Sequence, residues 1–260
     1  MKPPMVIALE ARLKPCRNVI TLGVHPNFSD YTIEEKSLLS NSDRIYYPSS
    51  FYADMFAAMG KEIFPSVHTY RFAQDKIKQT ALFKLRQIPH PATRTFYARS
   101  KREKILSYFR FPFIAKIPRG SALGRGVFLI ENQAALEQYC NLTKVAYIQQ
   151  YLPIDRDLRV VIIGHRIAHA YWRINAPGEF RSNVGHGARI SFDDIPEKAL
   201  SLALDTAKGC GWNDVGIDIC EHKNQFYVLE ANMKYGKAGF KQAGLDYYQM
   251  MEAMIRNGEI

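Results

Sequence analysis

The sequence predicts an α+β fold with a largely antiparallel core, and three observations carry that prediction. Strand-forming runs outnumber helical ones, and most of them fall in pairs around turn residues. At 260 residues and 47% hydrophobic, the chain can also bury the core of one or two domains. Its four cysteines, at positions 16, 140, 210 and 220, make no CxxC pair and no zinc spacing, so a reducing cytosol fits best. No apolar run reaches the length of about 18 residues that a membrane span needs, and no secretory leader is seen. The net charge of +10 favours acidic partners: nucleotide phosphate, an acidic peptide or RNA. No basic arm of the kind that grips nucleic acid accompanies it.

Residues 1–72 read as a small αβ unit. Short apolar runs at Asn18–Val24 and Arg44–Tyr47 flank a helical stretch from Thr32 to Leu39, and a helix over Ser49–Met59 stops at Gly60. From Gln74 to Leu85 the apolar residues at 77, 81, 82 and 85 have the spacing of a helix with one buried face. Strands follow at Phe111–Ile117 and Val127–Ile130, then a helix from Asn132 to Cys140 and a buried strand from Ala146 to Leu152 closed by Pro153. Asp157–Ile163 and Ile167–Trp172 form a hairpin turning at Gly164-His165. Helices over Pro196–Gly209 and Asp246–Arg256 bracket a last hairpin, Asp214–Cys220 with Phe226–Asn232.

That last hairpin is the most informative segment. A three-residue loop at Lys223–Gln225 would set Asp218 opposite Glu230, and Asn232 shares the face of Glu230 because strand side chains repeat with period two. Two carboxylates about 4 Å apart near a surface repel by roughly 4 kcal/mol, so a divalent cation or a shared proton must offset them. Two carboxylates and an amide oxygen suit magnesium; solvated acids on a plain hairpin are the other reading. The second informative segment is the glycine loop between two strands, with Gly120, Ser121, Gly124 and Gly126, preceded by Lys116 on the entering strand. A P-loop or a dinucleotide fingerprint would run from strand into helix, so neither applies; a flap whose backbone N–H groups approach phosphate oxygens remains, beside an ordinary flexible hairpin loop.

Taken in order, Asp75-Lys76, Ile114-Ala-Lys116, the glycine loop, Ile148–Leu152, Asp157-Leu-Arg159, Phe180–Asn183, Gly216-Ile-Asp218 and Leu229–Asn232 resemble the ATP-grasp superfamily, and within it the RimK-like carboxylate-amine (glutamate) ligases. The resemblance covers roughly residues 73–256. It implies a grasp of two α+β subdomains, 73–150 with the lysines and glycine loop and 151–260 with the metal ligands, behind an abbreviated N-terminal domain at 1–72. It further implies that Lys76 and Lys116 hold ATP phosphates beneath the glycine loop. By the same likeness Gln150, Tyr151 and Leu152 form the adenine hinge, and Asp157 sits near the ribose. Arg181 and Asn183 would reach the phosphates and reaction centre, with Arg159 and Arg173 as helpers around an acyl phosphate. Asp218, Glu230 and Asn232 would ligate Mg2+, for which Mn2+ can substitute.

The implied reaction activates a carboxylate with ATP as an acyl phosphate and joins it to an amine, such as an amino acid or peptide, releasing ADP and phosphate. Acidic small molecules, peptides or proteins are the expected acceptors, and a homo-oligomer is left open. Two departures bear on substrate: Gln150 replaces the usual hinge glutamate, and Met233-Lys-Tyr-Gly-Lys237 replaces the family's small-Pro-Gly continuation after the last ligand. Two other classes stay open on sequence grounds, a catalytically silent grasp fold that binds RNA or ribosomes through its positive charge, and a small-molecule kinase that stops after phosphoryl transfer.

Overall fold

The structure is a computed structural model that describes residues 5–72, 75–98, 102–119, 126–180 and 187–260. It opens with short elements: β1 (Val6–Ala8), β2 (Val19–Thr21), α1 (Ile33–Asn41), β3 (Arg44–Tyr46), α2 (Ser49–Ala58), β4 (Glu62–Phe64) and α3 (Val67–Phe72). The four strands pair in parallel in the order β2-β1-β3-β4. Parallel neighbours need crossovers: α1 leads from β2 to β3 and α2 from β3 to β4, while a short turn at Ala11–Leu13 lies between β1 and β2. A reciprocal capping box between Thr32 and Glu35 starts α1. Sequence patterning does not reveal β1, β4 and α3; with three, three and six residues they are too short to show a period.

Next come α4 (Lys76–Leu85), β5 (Thr93–Phe96), β6 (Phe113–Lys116), β7 (Val127–Ile130), α5 (Gln133–Leu142) and β8 (Ala146–Gln150). Their strands form an antiparallel sheet in the order β5-β8-β6-β7, with Phe113, Ala115 and Ile148 packed on Leu136 and Tyr139 of α5.

The third sheet has five strands: β9 (Arg156–Ile163), β10 (Arg166–Ile174), β11 (Arg189–Ser191), β12 (Asp214–His222) and β13 (Gln225–Asn232). They run antiparallel in the order β11-β10-β9-β12-β13. Between β11 and β12 lies α6 (Glu197–Cys210), which ends at Gly211 in the left-handed conformation, φ 69°, as glycine permits. Ala199, Ala203 and Ala207 of α6 pack on Leu158, Val160, Ile217 and Ile219, giving one apolar face to the sheet. Each fully buried aliphatic side chain there contributes about 1.5–3 kcal/mol. The alternate residues Val161 and Ile163 point the other way and meet Phe240, Met251 and Met254 from α7 (Ala238–Gln242) and α8 (Tyr247–Arg256), together with Leu13 and Tyr46 of the N-terminal unit. The N-terminal sheet and the five-stranded sheet therefore share a core. Two of the three sheets are antiparallel, as the sequence predicts. Among the described residues no helix is long and apolar enough to cross a membrane, and all four cysteines are unpaired.

Candidate active site

The polar face of the five-stranded sheet carries the charged residues that the sequence singled out. Directly opposed residues on antiparallel strands share a face, and the register places Tyr171, Arg159, Asp218 and Glu230 along one rung of β10, β9, β12 and β13. The neighbouring rung pairs Asp157 with Arg173. The expected Asp218–Glu230 pairing is present, but by a different route from the three-residue loop. Lys223 and Asn224, φ 51° and 60°, form a two-residue turn, and a bulge between Asp218 and Ile219 restores the residue that the shorter turn removes.

Asp218, Arg159, Asp157 and Arg173 form a nearly buried quartet of two positive and two negative charges. Arg159 donates through Nε and Nη2 to the two oxygens of Asp218, the second at 3.0 Å, and through Nη1 to the Tyr235 carbonyl at 3.0 Å. Arg173 donates through Nε and Nη2 to Asp157, both at 2.7 Å, and its Nη2 lies 2.9 Å from Oδ2 of Asp218. Burial pushes the Asp157 carboxyl up to about 6 against the pull of Arg173. Burial also works against the Arg173 charge, yet Asp157 and Asp218 outweigh it and hold the guanidinium protonated. Each Asp157 oxygen accepts one N–H from Arg173, which places this carboxylate inside the quartet and leaves each oxygen a further lone pair.

Arg159 fits only because residue 216 lacks a side chain: a Cβ there would come within 2.5 Å of Tyr235 Cβ and 2.9 Å of Arg159 Cδ. Gly216→Ala is expected to destabilise the fold by about 1–3 kcal/mol through overpacking, read as a fall in the urea midpoint at constant slope.

Glu230 belongs to a second cluster, between the two antiparallel sheets. Asn232 Nδ2 donates to its Oε1 at 2.8 Å, and Lys76 Nζ lies 3.6 Å from its Oε2. Burial would raise the Glu230 pKa, but Lys76, Lys116 and Asn232 outweigh it and hold the carboxylate at about 2. Lys116, at the end of β6 and 7% exposed, has its pKa lowered by burial, with Glu230 pulling in the opposite direction. A folded pKa below the unfolded value means that this carboxylate stabilises the fold above pH 4.5 and loses that contribution as pH falls toward 2. In metal-free protein the loss is expected to be on the order of 3 kcal/mol, absent from Glu230→Gln, as read by urea unfolding between pH 5 and 2.

Lys76 is held in place by Asp75, its neighbour in the sequence motif, and by Gln79 and Thr80, which sequence patterning does not single out. Asp75 caps α4, accepting from the N–H of Ile77 and Lys78, and takes Arg119 Nε at 2.7 Å. Gln79 binds both the N–H and the carbonyl of Ala231, at 2.9 and 2.8 Å, thereby fixing α4 against the residue between Glu230 and Asn232. Thr80 bonds the Tyr147 hydroxyl at 2.6 Å. The buried face of α4 is thus Gln79, Thr80 and Phe83, whereas Leu85, expected inside, is 81% exposed.

Gln150 closes β8 with an exposed side chain while its N–H donates to the Ala92 carbonyl at 2.8 Å; Tyr151 is half-buried and Leu152 buried. The carbonyl of Gly126 accepts from the N–H of Ile117 at 2.7 Å at the base of the glycine loop. Gly120, Ser121, Gly124, Arg181 and Asn183 lie outside the described residues. Lys76, Arg159, Arg173 and Lys116 supply, around Asp218 and Glu230, the positive charge that the sequence pattern assigns to a cation or a shared proton. The donor set still fits a hard divalent cation. Oδ2 of Asp218 takes two arginine N–H groups but Oδ1 takes one, leaving it a lone pair; Glu230 is ionised; and Asn232 spends its nitrogen on Glu230, which keeps its oxygen as the acceptor atom of that amide.

The sequence and the fold both have counterparts among known proteins. The sequence model of the RimK-like ATP-grasp domain matches residues 73–255. The chain belongs to the RimK-like ATP-grasp family. A "Probable alpha-L-glutamate ligase" of Alkalilimnicola ehrlichii is 28% identical over 199 residues, covering 72% of this chain and 66% of that one. The chain spans just under two thirds, or less, of the curated relatives it matches first. In fold, it is similar to an ATP-grasp RimK domain protein from Sphaerobacter thermophilus, with a TM-score of 0.69, 16% identity and coverage of 96% and 99% of the two chains. The D-alanine–D-alanine ligase of Bacillus anthracis complexed with ATP gives a TM-score of 0.69 at 13% identity, covering 99% of this ATP-grasp chain and 100% of its own.

Proposed function

We propose that this protein is an ATP-dependent carboxylate-amine ligase. The observation that carries the reading is the convergence of Lys76, Lys116 and Glu230 between the two antiparallel sheets, beside a guanidinium pair on the same sheet face. In this reading a substrate carboxylate oxygen attacks the γ-phosphorus of ATP and ADP departs. The amine nitrogen then attacks the acyl carbon, phosphate leaves, and the ammonium proton passes to solvent. Charge spread over phosphoryl oxygens is what such a site must stabilise, and buried lysines and arginines do so without reorganising. Lys76 and Lys116 bind the phosphates, Arg159 and Arg173 face the acyl phosphate, and Asp157 lies near the ribose while positioning Arg173. Gln150, Tyr151 and Leu152 border the adenine, while Gly120, Ser121, Gly124 and Gly126 cover the phosphates and Arg181 and Asn183 approach the transferred group. Asp218, Glu230 and Asn232 would hold Mg2+, or Mn2+ in its place, which when bound screens the phosphate charge.

Sheet membership supports a division into an N-terminal unit at 1–72, a lysine and glycine-loop subdomain at 73–150 and a metal-binding subdomain at 151–260. The names of the relatives support L-glutamate as one of the two substrates, and in this reading it supplies the amine to an acidic metabolite, peptide or protein. The unpaired cysteines support a cytoplasmic setting. Calorimetry with Mg-ATP is expected to show binding. Mass spectrometry of an acid and amine library is expected to show ATP-dependent loss of water between one pair. Absence of nucleotide binding defeats the reading, and a stable phosphorylated acid without amide would identify a kinase instead.

A further inference from the structure

The N-terminal unit places one cation against the segment that follows the last candidate metal ligand. Arg12, in the short turn after β1, lays its guanidinium 4.5 Å from the ring centroid of Tyr235, with the rings of Tyr47 at 5.3 Å and Tyr247 at 5.7 Å. Its Nε donates to the Tyr247 hydroxyl at 3.0 Å and its Nη1 to the Met233 carbonyl at 3.2 Å. Asp214, fully buried, accepts from the hydroxyls of Tyr235 at 2.7 Å and Tyr47 at 2.9 Å, and its Oδ2 lies 3.9 Å from Arg12 Nη2. Tyr235 is thus fixed at its ring by Arg12 and at its hydroxyl by Asp214. Its carbonyl is the acceptor for Nη1 of Arg159, the one contact that guanidinium makes away from Asp218 among the hydrogen bonds described above.

We propose that Arg12 is a positioning residue that acts through Tyr235 on Arg159, so that docking of the N-terminal unit sets the plane of a guanidinium in the reaction site. The proposal rests on the ligase reading for its catalytic consequence, though not for its geometry. A cation over an aromatic face and a planar donor on a backbone carbonyl are both directional contacts. Together they fix residues 233 and 235, and the missing Cβ of Gly216 lets Tyr235 and Arg159 touch. The segment Met233-Lys-Tyr-Gly-Lys237 thereby acquires a structural role, supplying the ring that Arg12 needs and the carbonyl that Arg159 needs. Arg12 reaches neither nucleotide nor acid in this scheme.

The test uses the full chain with Arg12→Ala and Arg12→Lys. The lysine variant keeps a charge beside Asp214 but cannot lay a plane on Tyr235, so it reports on the contact where the alanine variant fails to fold. The Nε–Hε resonance of Arg159, assigned through bonds, is expected to shift and to exchange faster with water in both variants. With Mg-ATP, the acid found by the library screen and L-glutamate, turnover per folded molecule is expected to fall by about 100-fold, the loss typical of a misplacement near 1 Å, with Kd for ATP unchanged. An Arg159 resonance that superposes on the wild type, accompanied only by a lower Tm, would overturn the proposal. If the wild-type protein binds no nucleotide, the ligase reading falls, while the resonance still decides whether Arg12 sets Arg159.

Discussion

Asp218→Ala is expected to lower the unfolding free energy by about 3–5 kcal/mol. Asp218 sits 3% exposed between Arg159 and Arg173, accepting from both, while Asp157 answers only Arg173. Alanine would leave two buried guanidiniums facing one carboxylate, and a buried charge without a partner keeps its full desolvation cost. Asparagine, of the same shape but neutral, should fall between alanine and wild type. Removing a guanidinium at the same time should recover part of the loss, so Asp218→Ala combined with Arg159→Met should cost less than the sum of the single changes in a double-mutant cycle. Urea unfolding at neutral pH reads the wild type and all four variants. A change within about 0.5 kcal/mol for the alanine variant, the range of a surface substitution, would show that the quartet is not buried.

Much of this arrangement is legible in the sequence because it follows period two. Once Asp214–Cys220 and Phe226–Asn232 are read as a hairpin, Asp218, Glu230 and Asn232 must share a face, and the same parity puts Asp157 with Arg159. The bulge is not legible: it inserts one residue into β13 without any change in composition that marks it. The buried face of α4 escapes for a different reason. Periodicity counts apolar residues, whereas α4 buries Gln79 and Thr80, whose polar groups are satisfied by Ala231 and Tyr147. Arg12 carries no local motif, and only the packing of the N-terminal sheet on β9, α7 and α8 brings it to Tyr235. The pairing of Asp157 with Arg173 on β10 comes from the strand register and not from the residue-by-residue likeness.

The largest expected effect on turnover is that of Glu230→Gln, about 10²–10³-fold in kcat, comparable to removing one preorganised electrostatic group from a transition state. Two consequences arise together. The substitution removes an ionised oxygen donor from the Asp218, Glu230, Asn232 set, and it removes the strongest charge opposing the depression of the Lys116 pKa by burial. Lys116 would then be held less firmly in its charged form, the form that binds phosphate. The fold should survive, since glutamine can still accept from Asn232 and the Glu230 side chain is 25% exposed. Lys116→Met removes the second partner of the same pair. Because the two side chains act as a unit, the double variant should be little worse than the poorer single one, where independent contributions would multiply. The half-saturating Mg2+ concentration separates the roles: it should rise in Glu230→Gln and stay near wild type in Lys116→Met. Multiplicative losses with an unchanged Mg2+ requirement would mean that Glu230 serves only to pair with lysine, and that the cation is held elsewhere.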